Sequence, residues 1–238
     1  MNRNNLEGKG RAGSAFLLID ASCSTNLIAL VVPDRQVRLT RTFPGREYPG
    51  ENLLSACEAW LDGCAIKGED LDYFATSHGP GSLTGLRVAG SFIRTLAQVF
   101  RKPVITLNSL WVLERSLGQE EREVVTIIQA RQDRYFVRFR SAQDSDDYAL
   151  LTGEELFERR PPEAFYCLEE RCDLIRRFPD RFAGSDYVLQ RLDPDCYIEG
   201  VAQAIQNRAG KEYHEIALHY GGQSVAEEVF YRKKGSMI

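Results

Sequence analysis

A glycine-rich turn carries the clearest chemical signal in this sequence. Residues Ser77–Arg87 read Ser-His-Gly-Pro-Gly-Ser-Leu-Thr-Gly-Leu-Arg, and a long apolar helical pattern follows them. A turn of this kind gathers backbone N–H groups at a helix N-terminus, where they can bind an anion. Glycines also let a second stretch of backbone approach closely. The turn therefore predicts either a phosphate site or a tight packing element.

A carboxylate beside hydroxyl groups is the second signal. The apolar run 15–19 ends at Asp20, and Ala21-Ser-Cys-Ser-Thr-Asn26 follows it. An aspartate at a strand end, next to serines, can bind magnesium or act as a general base. The common nucleotide motifs are absent, because Gly79 to Gly85 fits neither the dinucleotide spacing nor a P-loop with its Lys-Ser/Thr pair.

Metal and nucleophile patterns are poorly supported. The chain has three histidines, and His214 and His219 are five residues apart, which puts them about 140° apart around a helix rather than on one face. The six cysteines form no CxxC pair and are expected to be reduced thiols. No Gly-x-Ser-x-Gly nucleophile elbow occurs. We therefore predict no metal site and no catalytic triad.

Strands and helices that would position these residues can be read from hydrophobic periodicity. The first half predicts a βββαβαβ order, with a three-stranded meander over 15–43 and helices over 48–63 and 82–100. The second half predicts a hairpin over 123–140, helices over 194–209 and 212–220, and a closing strand over 228–232. We divide the chain into a disordered extension 1–14, a lobe 15–108, and a lobe 109–238 whose last segment returns to the first lobe.

Composition restricts the class of protein. The chain has 238 residues, of which 43% are hydrophobic, so it can bury a substantial core. Its net charge of -4 argues against a protein that binds RNA by itself. The sequence contains neither a signal peptide nor an apolar run of the roughly 18 residues that a membrane span needs. We expect a cytoplasmic protein without membrane contact.

The order of several motifs resembles one family. The segments Leu18-Ile-Asp-Ala-Ser22, His78-Gly-Pro-Gly-Ser-Leu-Thr-Gly-Leu-Arg87, Asn108-Ser-Leu110, Gln129-Ala-Arg-Gln-Asp-Arg-Tyr-Phe136 and Val229-Phe-Tyr-Arg232 follow one another as in the bacterial TsaB (YeaZ) proteins. This family is a paralogue of TsaD, the catalytic subunit that adds threonylcarbamoyl to N6 of the adenosine next to the anticodon. The resemblance implies a two-lobed, actin-like α/β fold with mixed five-stranded sheets flanked by helices.

The resemblance also implies partners. TsaB-like proteins bind TsaD and are required for its activity, TsaE joins the complex, a homodimer forms when TsaD is absent, and tRNA is reached through the complex. TsaD-like proteins hold a metal with a His-x-x-x-His pair on the helix after the meander, and Tyr48–Gly63 contains no histidine. We therefore expect a non-catalytic subunit, with no cofactor bound by this chain alone and ATP or ADP only at a subunit junction.

The site residues follow from these expectations. A vestigial phosphate turn would consist of Asp20, Ser22, Gly79, Gly81, Ser82 and Gly85. In the family, the helices matching 51–61 and 82–100 pack against those of TsaD or of a second copy, which gives as partner-binding residues Leu53, Leu54, Cys57, Leu86, Arg87, Phe92 and Ile93. Two alternatives are an ATPase or kinase of the actin-like superfamily that uses Asp20 and, with less support, a glycoprotease-like metallopeptidase.

Overall fold

The structure is a computed structural model that describes residues 13–44, 49–118, 123–140, 146–159 and 164–218. Within it, the backbone of residues 49–54 is described but their side chains are not. None of the helices in these ranges is long and apolar enough to cross a membrane.

The first lobe is a mixed sheet of five strands in the order β3-β2-β1-β4-β5. The first three strands form an antiparallel meander, and β4 and β5 run parallel to β1. Parallel strands need crossover connections, which here are helices. The strands are β1 (Phe16–Asp20), β2 (Thr25–Val32), β3 (Val37–Pro44), β4 (Tyr73–Gly79) and β5 (Val104–Asn108).

Helices α1 (Pro49–Gly63) and α2 (Leu83–Phe100) are the crossovers of this lobe. Ser82 caps α2, because its hydroxyl oxygen accepts a hydrogen bond from the Gly85 N–H over 3.2 Å. A third helix, α3 (Ser109–Arg115), begins directly after β5 and is capped by Asn108, whose side chain accepts from two backbone N–H groups. The Ser82 cap fixes the start of the helix that the sequence predicts over 82–100.

The second lobe repeats the plan of the first. Its sheet has the order β10-β9-β6-β7-β8. Read from β8, this is the order 3-2-1-4-5 of the first sheet, because β6, β7 and β8 form an antiparallel meander and β9 and β10 run parallel to β6. This duplication confirms the predicted two-lobed actin-like fold. The elements are β6 (Val124–Gln129), β7 (Arg134–Arg140), β8 (Asp146–Thr152), α4 (Gly153–Arg159), β9 (Phe165–Glu169), α5 (Leu174–Arg177), α6 (Pro179–Phe182), β10 (Tyr187–Gln190) and α7 (Pro194–Gln206).

Three apolar cores hold these layers together. One lies between the first sheet and helices α1 and α2, and another lies beneath the outer face of the second sheet. The remaining core joins the two sheets around α3 and α7, and includes Leu18 of β1, Val124 of β6 and Val201 of α7. The lobes are thus packed on each other through two helices.

The end of the described chain differs from the predicted helix over 212–220. Only a short 3-10 turn forms there, at Tyr213–Glu215. Before it, Lys211 exchanges two backbone hydrogen bonds with Val104 of β5, and after it Ile216 enters the core of the first lobe. The predicted extension 1–12 and closing strand 228–232 lie outside the described residues.

A buried ionic cluster connects α3 to the second sheet. Glu114 forms an ion pair with Arg138, lies 2.8 Å from the Nε of Arg140, and accepts a hydrogen bond from the Thr126 hydroxyl over 3.2 Å. The Arg138 side chain is only 5% exposed. A buried charge is tolerated when it is paired and hydrogen-bonded, as this one is.

We predict that Glu114→Ala lowers the free energy of unfolding by about 3–5 kcal/mol, because it leaves the Arg138 guanidinium buried without this carboxylate. Urea denaturation followed by circular dichroism measures the change. Glu199→Ala, at an exposed position of α7, is the matched control and should change little. A loss below about 1 kcal/mol for Glu114→Ala would show that the cluster contributes little to stability.

Candidate functional site

The glycine turn packs directly on the turn between β1 and β2. A Cβ added to Gly81 would lie 2.1 Å from the Ser22 carbonyl oxygen, and one added to Gly85 would lie 1.7 Å from the Ala21 carbonyl oxygen. The Ser82 N–H donates to the Ser22 carbonyl over 2.7 Å. Both glycines are therefore required because backbone meets backbone here.

Backbone N–H groups of the two turns are hydrogen-bonded within the chain. The Ser22 N–H donates to Asp20 Oδ1 over 3.1 Å, and the Gly79 N–H donates to the Ser77 hydroxyl over 2.8 Å. The Gly85 N–H is bonded to Ser82, as described above. An anion site needs such donors to be directed at the ligand. Here the chain's own oxygens accept from them.

Two carboxylates of the second lobe face the β1–β2 turn. Glu169, at the end of β9, accepts from the Ser24 N–H over 3.2 Å. Glu170 accepts from the Ser24 hydroxyl over 2.8 Å and from the Thr25 hydroxyl over 3.4 Å. Arg191 forms an ion pair with the same Glu170. These contacts connect the two lobes and place negative charge where a phosphate would have to approach.

Asp20 lies inside a hydroxyl network. Its Oδ2 accepts from the Ser22 hydroxyl over 2.9 Å, the Ser109 hydroxyl donates to Ser22 over 2.9 Å, and the Ser77 and Ser109 oxygens are 2.6 Å apart. Asp20 has no exposed surface. Burial raises the pKa of Asp20 from its usual 3.8 to about 6, although the hydrogen bonds from Ser22 act in the opposite direction.

The residues of the predicted phosphate turn lie close together in the structure, but their contacts are those of two turns packed against each other. All six predicted residues lie at the junction of the two turns, as expected from their positions at neighbouring strand ends. The inward-facing groups are carboxylates and carbonyl oxygens, which repel a phosphate, and the N–H donors described above are engaged. That a nucleotide binds at a subunit junction remains a prediction.

Three of the predicted partner-binding residues require a correction. Cys57, Leu86 and Ile93 are 3%, 1% and 0% exposed, and Cys57 and Ile93 belong to the core of the first lobe. They face the sheet beneath α1 and α2, so their side chains are not available to a partner. The apolar face of α2 is broad, and periodicity alone does not show which part of it covers the sheet.

The other four predicted partner-binding residues differ in how exposed they are. Arg87 is exposed and Phe92 is half-buried on α2, whereas the side chains of Leu53 and Leu54 lie outside the described residues. The sequence reasoning missed Val99, which is 65% exposed near the end of α2. Its position directly before Phe100, the last residue of α2, and about 120° from Ile93 around the helix was the available signal.

Metal chemistry has no side-chain cluster to support it in the described ranges. No group of three or more His, Cys, Asp or Glu side chains there is arranged to hold a metal ion. The six cysteines are free thiols, and burial raises the pKa of the Cys57 thiol to about 12, with the Glu58 charge adding to the shift.

Comparison with known proteins gives a consistent assignment. A structure described as YeaZ from Pseudomonas aeruginosa superposes with a TM-score of 0.69 at 19% identity, covering 87% of this chain and 99% of that one. A second structure, described as an uncharacterized protein with similarity to peptidase YEAZ from the same organism, superposes with a TM-score of 0.70 at 19% identity. This match covers 88% of this chain and 100% of that one. These superpositions establish the fold.

Sequence matches point to proteins of tRNA threonylcarbamoyladenosine biosynthesis. The TsaB protein of Bacillus subtilis, described as a tRNA threonylcarbamoyladenosine biosynthesis protein, is 26% identical over 121 residues, which are 51% of this chain and 52% of the relative. The chain is a relative of the TsaB (YeaZ) proteins. A family model described as TsaD, tRNA N6-adenosine threonylcarbamoyltransferase, matches residues 49–154 of this TsaB-like chain.

A TsaD-type protein is also similar. The tRNA N6-adenosine threonylcarbamoyltransferase of Kosmotoga olearia is 30% identical over 109 residues, which are 40% of this TsaB-like chain and 33% of the relative. The matches thus span a third and about half of the length of these two curated relatives.

We predict that Gly85→Ala destabilises this TsaB-like chain by roughly 3 kcal/mol or more, because the new methyl group would overlap the Ala21 carbonyl at 1.7 Å and push the two turns apart. Equilibrium urea unfolding gives the value. The matched control is Gly63→Ala in α1, where a Cβ meets no atom within 4 Å. Equal stability of the two variants would contradict the close approach of the turns.

A pH dependence follows from the buried Asp20. Its folded-state pKa of about 6 exceeds its ordinary 3.8, so the folded chain binds the proton more tightly and loses stability as pH rises through this window. Asp20→Asn removes the charge and should be more stable than the parent by roughly 3 kcal/mol above pH 7, with a much smaller difference near pH 4.

Urea unfolding at several pH values tests this, with Asp62→Asn at an exposed position of α1 as control. A stability difference between parent and Asp20→Asn that does not change between pH 4 and pH 8 would rule out the raised pKa.

Proposed function

We propose that this chain is the scaffold and activating subunit of the complex that adds threonylcarbamoyl to N6 of the adenosine next to the anticodon, in tRNAs that read codons starting with A. In this proposal the chain binds a TsaD-type transferase and is required for its activity, but does not carry out the chemistry. The observation that carries the proposal is that one stretch, residues 49–154, matches the TsaD family model within a chain of TsaB-like fold.

The close packing of the glycine turn on the β1–β2 turn supports a non-catalytic role. In this chain the residues that would correspond to a nucleotide site instead pack backbone on backbone and face Glu169 and Glu170. A subunit that has lost this site can retain the fold and use its surface. The same geometry disfavours both the ATPase or kinase hypothesis, which needs the Asp20 turn open, and the metallopeptidase hypothesis, which needs a ligand cluster.

The outward side of α2 supports the docking role. Its exposed residues form one stripe, and Val99 at 65% exposure is the largest exposed apolar side chain on it. The half-buried Phe92 and Leu96 lie between this stripe and the core, where they pack against the first-lobe core. The resemblance to the TsaB (YeaZ) proteins implies docking through these helices, and the exposed residues of α2 lie on this side of the helix. The partner-binding surface in this proposal is therefore the outward side of α1 and α2.

Other members of the complex follow from the family. We infer that TsaE joins the complex, that two copies of this chain associate through the same helices when TsaD is absent, and that tRNA is bound through the complex. Any ATP or ADP would bind at a subunit junction. A cytoplasmic location fits a tRNA-modifying complex.

We predict that the double variant Thr95→Glu, Val99→Glu weakens binding of the host's TsaD at least tenfold, because it buries two carboxylates in the interface. Both positions are exposed, so the variant should fold as the parent does. Co-purification and calorimetry measure the loss. Glu199→Lys on α7 is the matched surface control, and unchanged affinity of the double variant would remove α2 from the interface.

The function itself is tested by modification of tRNA. A reconstituted reaction with TsaD, TsaE and the threonylcarbamoyl-AMP synthase TsaC should modify tRNA with this chain and fail without it. Full activity without this chain would refute the scaffold role. Saturable ATP binding by the isolated chain, lost in Asp20→Ala, would favour the ATPase hypothesis instead.

A further inference from the structure

Two adjoining segments of the second lobe carry five exposed arginines. One segment is the β6–β7 hairpin over 129–135, and the other runs from the end of β9 into α5 over 169–177. The two segments are distant in sequence, so the fold is what brings their guanidinium groups to one side of the lobe. We call these five residues the arginine surface: Arg131, Arg134, Arg171, Arg176 and Arg177.

Hydrogen bonds hold the two segments side by side. The Tyr135 hydroxyl donates to Asp173 Oδ1 over 2.9 Å, and the Asp173 N–H donates to Gln129 Oε1 over 3.1 Å. Within the hairpin, the Arg134 N–H donates to the Arg131 carbonyl over 3.0 Å. The arginines of both segments therefore belong to one surface.

The carboxylates of the same segments are mostly withdrawn from solvent. Glu169 is 5% exposed, and Glu170 is bound by the hydroxyls of the β1–β2 turn, as described above. The Asp173 side chain is 13% exposed and lies 2.9 Å from the Nε of Arg177. Asp133 is the one acidic residue of these two described segments that is exposed. The outer side of this region is therefore positive, although the whole chain has a net charge of -4.

Most of these guanidinium groups are free to bind an anion. Among the described residues, no carboxylate forms an ion pair with Arg131, Arg134 or Arg171, although Glu155 of α4 acts on Arg134 at longer range. The Arg176 side chain is 84% exposed, and its carboxylate partner is 3.8 Å away. An exposed ion pair of this length is weak, so it does not prevent Arg176 from binding another anion.

A row of phosphates suits this arrangement. A guanidinium group binds a phosphate through two parallel N–H bonds. Each strand of a nucleic acid carries one phosphate charge per roughly 3.4 Å of helix axis, so one strand can contact several arginines at once. Contacts of this kind are spread over a surface and do not need a pocket.

We propose that the arginine surface binds the phosphate backbone of tRNA within the complex. That the RNA is a tRNA rests on the proposed function, whereas the binding of a phosphate backbone by these arginines does not. The surface belongs to the second lobe, and the helices that the proposed function gives to TsaD belong to the first, so both can be occupied together. With its negative net charge, the isolated chain should bind RNA more weakly than the complex does.

The triple variant Arg131→Ala, Arg171→Ala, Arg176→Ala tests this assignment. In the complex with the host's TsaD, the Kd for tRNA should rise about tenfold or more near ~100 mM salt, because three phosphate contacts are lost. The slope of log Kd against log salt should fall by about two, because each lost contact releases roughly 0.7–0.9 counterions fewer. Fluorescence anisotropy of end-labelled tRNA measures both quantities.

Matched variants separate charge from structure. The triple variant Lys67→Ala, Arg208→Ala, Lys211→Ala removes the same charge from exposed positions elsewhere, and should keep the parent's Kd and salt slope. Lysine in place of arginine at 131, 171 and 176 should restore the salt slope, since the charges are kept. Because phosphate contacts carry no sequence information, tRNAs that do and do not read codons starting with A should lose affinity by the same factor.

Three results would overturn the inference. The first is an unchanged Kd and salt slope in the alanine variant at 131, 171 and 176. The second is a salt slope that the lysine variant does not restore, because the effect would then be structural. The third is loss of TsaD binding by the alanine variant, because the surface would then be a protein interface.

Measuring TsaD binding alongside tRNA binding separates this inference from the proposed function. If the chain binds RNA through these arginines but binds no TsaD, the arginine surface is supported and the scaffold role is refuted. If the chain binds TsaD and the modification reaction requires it, while the tRNA affinity of the complex does not depend on these arginines, the reverse holds.

Discussion

The contact between two turns is the constraint on which the rest of this structure depends. Gly81 and Gly85 lie so close to the carbonyls of Ser22 and Ala21 that no other residue type fits without a shift. This contact sets the start of α2, because Ser82 both donates to Ser22 and caps the helix. The direction of α2 then determines which of its residues face the sheet and which face outward.

The same contact fills the space between the two turns with the chain's own backbone. The second lobe adds two carboxylates beside it, because Glu169 accepts from the Ser24 N–H and Glu170 accepts from the hydroxyls of Ser24 and Thr25. These hydrogen bonds connect the two lobes at the β1–β2 turn.

Sequence by itself determined the strand and helix order of the first lobe, because that order depends on local periodicity, which is readable along the chain. The two-lobed plan was implied by the resemblance to the TsaB (YeaZ) proteins. The short apolar pattern after Glu212 was misread as a helix because tertiary contacts with β5 and α2 override local propensity there.

Only the tertiary structure decided what the glycines do and which residues of α2 are free. A glycine turn before a helix has the same sequence pattern whether it binds an anion or packs on a carbonyl, and the choice depends on Ala21 and Ser22 from another strand. Likewise, Ile93 and Val99 belong to one broad apolar pattern, yet one is fully buried and the other is 65% exposed. The physical reason is that burial is set by the neighbouring sheet, which the helix's own residues do not encode.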